Sequence, residues 1–156
     1  MLTKDNKDKE VKETFKFNYQ QLLELDQLGI FGEQRVELID GEIIPMPPPN
    51  PPHAIFVMEL GDSLTLALST LAKISTQNPL RLSPDMQDKN LPIPDVMVLE
   101  RRIYLDHPQP KDVYLLVEVA DSSVPEDRGK KLKLYAAHGI QEYWIVNLVQ
   151  RQLAVY

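Results

Sequence analysis

The chain has 156 residues and a formal charge of −6, long enough for one domain with a real core. It contains no cysteine, which excludes disulfides, thiolate metal sites and a cysteine nucleophile. The negative balance argues against a protein that grips nucleic acid by electrostatics alone, yet leaves room for a local basic patch or metal-assisted phosphate binding.

Residues 1–14, beginning MLTKDNKDKEVKE, are charged and lack the apolar core of a signal peptide. They read as a disordered leader, with a domain over 15–156 and a cytoplasmic location. Asn18 begins a helix signal, with Gln21 three residues on as its capping-box partner and Gly29 as its stop. Leu22, Leu23, Leu25 and Leu28 supply the apolar face, which is expected to cover one edge of a sheet. Asp40-Gly41, between the short β runs of RVELI and EIIPM, is a hairpin signal. Glu37 lies just ahead of that turn and, taken alone, reads as a solvated strand residue.

Pro47-Pro48-Pro49-Asn50-Pro51-Pro52 is a stiff extended connector with few donors for a sheet, or else a proline-motif ligand for a partner domain. A long helix is expected from His53 on the stripe His53, Val57, Leu60, Leu64, Leu68, Leu71. Further apolar residues at Ile55, Phe56, Met58 and Leu66 imply burial of most of its circumference. Glu59 and Asp62 interrupt the run and no basic flanks frame it, which argues against a membrane span. His53 itself reads first as a hydrogen-bonded structural histidine and second as a site residue.

Leu80 to Pro84 reads as a short strand, and Pro94 rigidifies the approach to another, Val96 to Leu99, with Asp95 at its start. Arg101, Arg102 and Lys111 flank the following loop as solvated charges. Val113 to Val119 is near-continuously apolar, as in a strand buried on both faces, with Glu118 set into it. Acids precede bases from Glu126 to His138, which suits a helix dipole, and Gly139 is a natural stop. Asp127, Lys131 and Tyr135, spaced i, i+4, i+8, share one face of that helix. Glu142 to Val146 is a strand again, so strand, crossover helix and strand form a βαβ unit. The chain ends within the apolar run Leu153 to Tyr156, where a further strand or helix is expected to be cut off.

Two interior strands thus each carry one acid, Asp95 and Glu118, and neighbouring strands lie about 4.8 Å apart. Acids at matching heights could share one hard divalent cation, Mg²⁺ or Mn²⁺, with water and substrate phosphate completing its shell. Such an ion activates water and offsets charge on a phosphodiester. Lys131 is on the face best placed to orient the nucleophilic water, although Lys130 and Lys133 are near. Clustered carboxylates repel one another, so Asp95→Asn is expected to be neutral or stabilising in the metal-free fold.

Pro94-Asp95, Glu118 within VEVADSS, Asp127-x-x-x-Lys131-x-x-x-Tyr135 and GIQEYWIVN, in that order, resemble the Uma2 family, which is abundant in cyanobacteria. The segment VELIDGEIIPM and the Pro-rich turn before His53 extend the resemblance from about Phe17 to Tyr156. It implies a restriction endonuclease-like α/β fold of the PD-(D/E)xK type, a mixed β-sheet flanked by α-helices. It further implies Asp95 and Glu118 as metal ligands, Glu37 as an auxiliary acid, and His53, Asp127 and Tyr135 as supporting residues. Ala120 stands two after Glu118, where the (D/E)xK pattern has lysine, and the resemblance implies a lysine migrated to Lys131. Asn147 stands where relatives have aspartate. The function so implied is Mg²⁺-dependent hydrolysis of nucleic-acid phosphodiesters, DNA foremost, with a second copy of the chain as a further candidate partner. The alternative is an inactive nuclease-like fold acting as a nucleic-acid or protein binding module.

Overall fold

A computed structural model describes residues 14–121 and 127–156, and of residues 127 and 128 only the backbone. The expectation of a disordered leader, and most of the polar turn before the crossover helix, lie outside the described residues. Helix α1 (Tyr19–Gln27) opens on the capping box read from the sequence, with Gln21 N–H on Asn18 and the Gln21 carboxamide returning to the Asn18 N–H. Strands β1 (Val36–Ile39) and β2 (Glu42–Pro45) form the expected hairpin. Both turn residues are left-handed, Asp40 at φ 49° and Gly41 at φ 73°, which matches the right-handed twist of the strands.

A five-stranded sheet carries the rest, in the order β3 (Ala72–Thr76), β4 (Val96–Glu100), β5 (Val113–Ala120), β6 (Tyr143–Asn147), β7 (Gln152–Val155). Only β5 and β6 are parallel, joined through α3 (Asp127–Ala137) as the βαβ reading requires. The sheet is therefore mixed and covered on both faces. Helix α2 (Pro51–Leu68) packs Val57 and its neighbours onto Val96, Val98, Leu115, Val117 and Val119. Tyr135 and Leu132 of α3 pack on Met97, Leu116, Tyr143 and Ile145 on the other face. Strand alternation explains the split, since odd and even positions of β5 point to opposite faces.

Several local expectations need correction. Helix α1 covers the hairpin rather than the edge of the large sheet, through Tyr19 and Leu22 against Leu38 and Leu91. Helix α2 starts at Pro51 rather than His53, because Asn50 caps the His53 N–H at 3.1 Å and proline is well suited to a first helical turn. Only one stripe of α2 is packed, and Ile55, Met58 and Leu66 are exposed. Leu71 falls outside the helix, in the turn leading to β3, a strand that mixed residues such as Lys73 and Ser75 concealed. Residues 80–84 are not a strand, although Leu80 and Leu82 are buried. Their amides bond the carbonyls of Pro92 and Pro108, and a proline offers no N–H to complete a ladder in return. Arg101 and Arg102 are not merely solvated either. Arg101 donates to the carbonyls of Ser69 and Ala72, and Arg102 pairs at 2.8 Å with the buried Asp112.

The segment Leu91–Asp95 positions the site. Leu91 exchanges two backbone hydrogen bonds with Leu38 of the hairpin, at 2.7 and 3.2 Å, and the chain then runs directly into β4. This bridge holds β1 beside the first turn of β4. No helix among the described residues is long and apolar enough to cross a membrane.

Candidate active site at the junction of hairpin, sheet and crossover helix

Several elements deliver polar side chains to the same end of the sheet. Val96 pairs with Val117, so the antiparallel register puts Asp95, one residue earlier, level with Glu118, one residue later. Directly opposite residues share a sheet face, which is the matching height the sequence called for. Hairpin strand β1 brings Glu37, whose Oε2 accepts from the Ile93 N–H at 3.2 Å. From α3 comes Lys131, with Nζ 2.9 Å from Glu37 Oε2 and 3.3 Å from Glu118 Oε1. Tyr135, one turn further and fully buried, donates to the same Glu118 oxygen at 3.0 Å. Lys130 and Lys133, rotated away by roughly 100° and 200°, are exposed.

The reading of Glu37 as a solvated strand residue is overturned, because Lys131 and the Ile93 amide hold its carboxylate inside. His53 does more than receive the Asn50 cap through its backbone N–H. Its Nε2 lies 3.2 Å from both carboxylate oxygens of Asp95, while its buried Nδ1 has no partner among the described residues. The side chain of Asp127 lies outside the described residues.

Exposure of the Glu37, Asp95, Glu118 and Lys131 side chains is only 10, 10, 13 and 17%, so water screens their charges weakly. The consequences differ by residue. Burial pushes the Glu118 carboxyl up to about 7; Lys131 pulls against this, while Asp95 and Glu37 add to it. Burial would lower the Lys131 ammonium, but Glu118 and Glu37 together hold it well above its ordinary value. Burial also acts to raise Asp95, yet the hydrogen bond from His53 and the 2.8 Å bond from the Val119 N–H more than offset it. Asp95 therefore ends below the usual carboxylate range, and the His53 bond to Asp95 raises the imidazole in turn. The expected repulsive strain thus resides on Glu118, while Asp95 is a favoured anion.

Gln77 was missed in the sequence, where only the turn-prone Asn78-Pro79 after it gave any signal. Its backbone is left-handed at φ 51°, a conformation that costs a non-glycine residue about 1 kcal/mol. Its N–H donates to the Asp95 carbonyl at 3.0 Å, its own carbonyl accepts from Arg35 Nη2 at 2.6 Å, and its carboxamide reaches Asp95 Oδ1 at 3.5 Å. Gln77 is the tie between Arg35, ahead of β1, and Asp95.

Glu37, His53, Gln77, Asp95, Glu118 and Lys131 line one cavity of about 920 Å³, together with Pro45 to Asn50. Its donors are carboxylate oxygens with one imidazole, a set suited to a hard divalent cation. No group of three or more His, Asp or Glu side chains among the described residues is arranged to hold such an ion unaided. Asp95 and Glu118 form a pair, and Mg²⁺ ordinarily takes one or two protein carboxylates and leaves the remaining positions to water and phosphate. The residues present fit a cation of that kind.

Comparison with known proteins places this geometry in context. The family Uma2, described as "Putative restriction endonuclease", matches residues 19–156. Among solved structures, a putative nuclease from Anabaena variabilis superposes with a TM-score of 0.69 at 17% identity, over 90% of this chain and 79% of that one. At that identity the likeness is one of fold. No curated protein matches the chain.

Proposed function

The chain belongs to the Uma2 family, and on that premise we propose that it is a metal-dependent endonuclease hydrolysing nucleic-acid phosphodiester bonds, DNA foremost. The observation that supports this reading best is the bridge made by Lys131, 2.9 Å from Glu37 and 3.3 Å from Glu118, beside the ionised Asp95. Three acids and a lysine from separate elements, buried together in one cavity, carry a desolvation cost, a pattern found more at functional sites than elsewhere.

In this reading Asp95 and Glu118 would hold Mg²⁺ or Mn²⁺, an ion that would lower the pKa of a bound water and offset charge on the phosphate. Asp95 is anionic throughout the working pH range, kept so by His53 and the Val119 amide. Lys131 stays protonated and donates hydrogen bonds, so it orients the attacking water and offsets charge gathering on the phosphate oxygens. Glu37 anchors that ammonium, and Tyr135 fixes the Glu118 carboxylate through its hydroxyl. Hydrolysis joins the water oxygen to phosphorus and breaks the bond to one sugar oxygen, which leaves with a proton.

The test is incubation of plasmid and single-stranded DNA with Mg²⁺ or Mn²⁺, using Glu118→Ala as control. Metal-dependent cleavage by the parent and none by the variant is expected, and equal cleavage by both would sink the assignment. A second reading, a nuclease-like binding module, draws on Lys131 and His53 occupying the carboxylates. DNA binding without metal uptake or turnover would favour it.

A further inference from the structure

The lining of the cavity bears on which form of DNA enters it. Among the described residues its acids are Glu33, Glu37, Asp95, Glu118 and Asp121, against the cations Arg35 and Lys131. Lys131 is held by Glu37 and Glu118, and Arg35 donates to the Gln77 carbonyl. A duplex is gripped through many phosphates by many lysines and arginines, and this lining offers no such row. Another part of the lining is of a different kind. Pro47, Pro48 and Pro49 are exposed and without amide donors, a stiff apolar rail lining the same cavity as the acid cluster. At about 920 Å³ the cavity has room for one or a few nucleotides beside the acids.

Resting on the nuclease reading above, we propose that the substrate is an unpaired DNA strand or strand end, with its bases and sugars packed on the proline rail and one phosphate at the acid cluster. Bases freed from a duplex expose faces that can lie against the proline rings; with no aromatic platform and few cations among the described lining residues, affinity rests on that apolar contact more than on ion pairs. Few phosphate contacts imply a shallow salt dependence. Single strands lose about 0.7 in log K per unit log salt for each phosphate neutralised, so the slope here is near one or less.

Single-turnover cleavage at saturating Mn²⁺ compares one labelled sequence as a single strand, a blunt duplex and a duplex with an unpaired tail. The single strand and the tail are expected to be cut at least ten-fold faster than the blunt duplex, with tail cuts confined to unpaired nucleotides. Fluorescence anisotropy of the labelled strand gives the salt slope, and Pro48→Gly with Pro49→Gly is expected to weaken strand binding several-fold with Mn²⁺ affinity unchanged. Blunt duplex cut as fast as single strand, or a steep salt slope, overturns the strand preference and leaves the nuclease reading standing. Single-strand binding with the shallow slope but no cleavage of any DNA supports the strand preference and overturns the nuclease reading. Neither binding nor cleavage overturns both.

Discussion

Glu118 keeps its proton up to about pH 7 in the fold, whereas an unfolded chain releases it near 4.5. Between those values the folded state binds more protons, so the contribution of Glu118 is complete below about 4.5 and is lost as pH rises through 7. Metal-free protein is therefore expected to melt at lower temperature at pH 8 than at pH 5, with a share of up to about 3 kcal/mol from this group. Glu118→Gln should flatten that slope in thermal melts; an unchanged slope would show that burial is not straining the carboxylate. A residual slope from His53 remains, since its raised pKa gives stability present below 6.5 that fades as pH climbs past the raised value. Asp95 behaves oppositely, and Asp95→Asn should destabilise by about 1–3 kcal/mol, because His53 and the Val119 amide lose a charged acceptor. A variant as stable as the parent in denaturant titration would contradict this. The sequence predicted the reverse for Asp95, because repulsion among acids is visible in a list of acids and the compensating His53 and amide are not.

The hairpin is the element on which Glu37 depends, and Gly41 is its weak point. A Cβ there would lie 2.8 Å from Lys16 Cβ and 3.1 Å from the Phe17 carbonyl, on a backbone at φ 73°. Gly41→Ala is expected to cost about 1–2 kcal/mol and to slow cleavage by loosening Glu37; an unshifted melting temperature would show that the turn relaxes freely. At Gln77 the strain runs the other way. Gln77→Gly should leave stability nearly unchanged, gaining backbone freedom and losing the carboxamide, while weakening Mn²⁺ binding measured by calorimetry; unaltered affinity would remove Gln77 from the site. Elements with local signatures were legible in the sequence: the Asn18–Gln21 box, Asp40-Gly41, the apolar run of β5 and the Gly139 stop. Strand β3 was not read: Ala72, Ile74 and Thr76 do alternate with Lys73 and Ser75, but the run is short, follows directly on the helix, and its pairing with β4 is non-local. Helix α2 misled through composition, as apolar residues all round it predicted burial that one sheet face could supply only along one stripe.

At the scale of the whole molecule, the site exists because the β5–α3–β6 crossover lays Lys131 over the β5 carboxylate while the Leu38–Leu91 bridge swings the hairpin in from the other side. Asp95, Glu118 and Lys131 were readable from apolar strands and helical spacing. The inward turn of Glu37 was not, because it needs the Ile93 amide and Lys131, which are distant in sequence. In the metal-free protein the Lys131 ammonium is the counter-charge for two of the three acids, and its loss leaves them uncompensated. The central claim is that this lysine, arriving from the helix rather than from position 120, is the catalytic cation. It is tested most directly by single-turnover DNA cleavage at saturating Mn²⁺ for Lys131→Ala, Lys130→Ala and Lys133→Ala, with Mn²⁺ affinity measured alongside. The expected result is a loss of about 10²–10⁴-fold for Lys131→Ala with Mn²⁺ binding no weaker than in the parent, and little change for the two exposed lysines. Cleavage by Lys131→Ala at the rate of the parent would contradict the account.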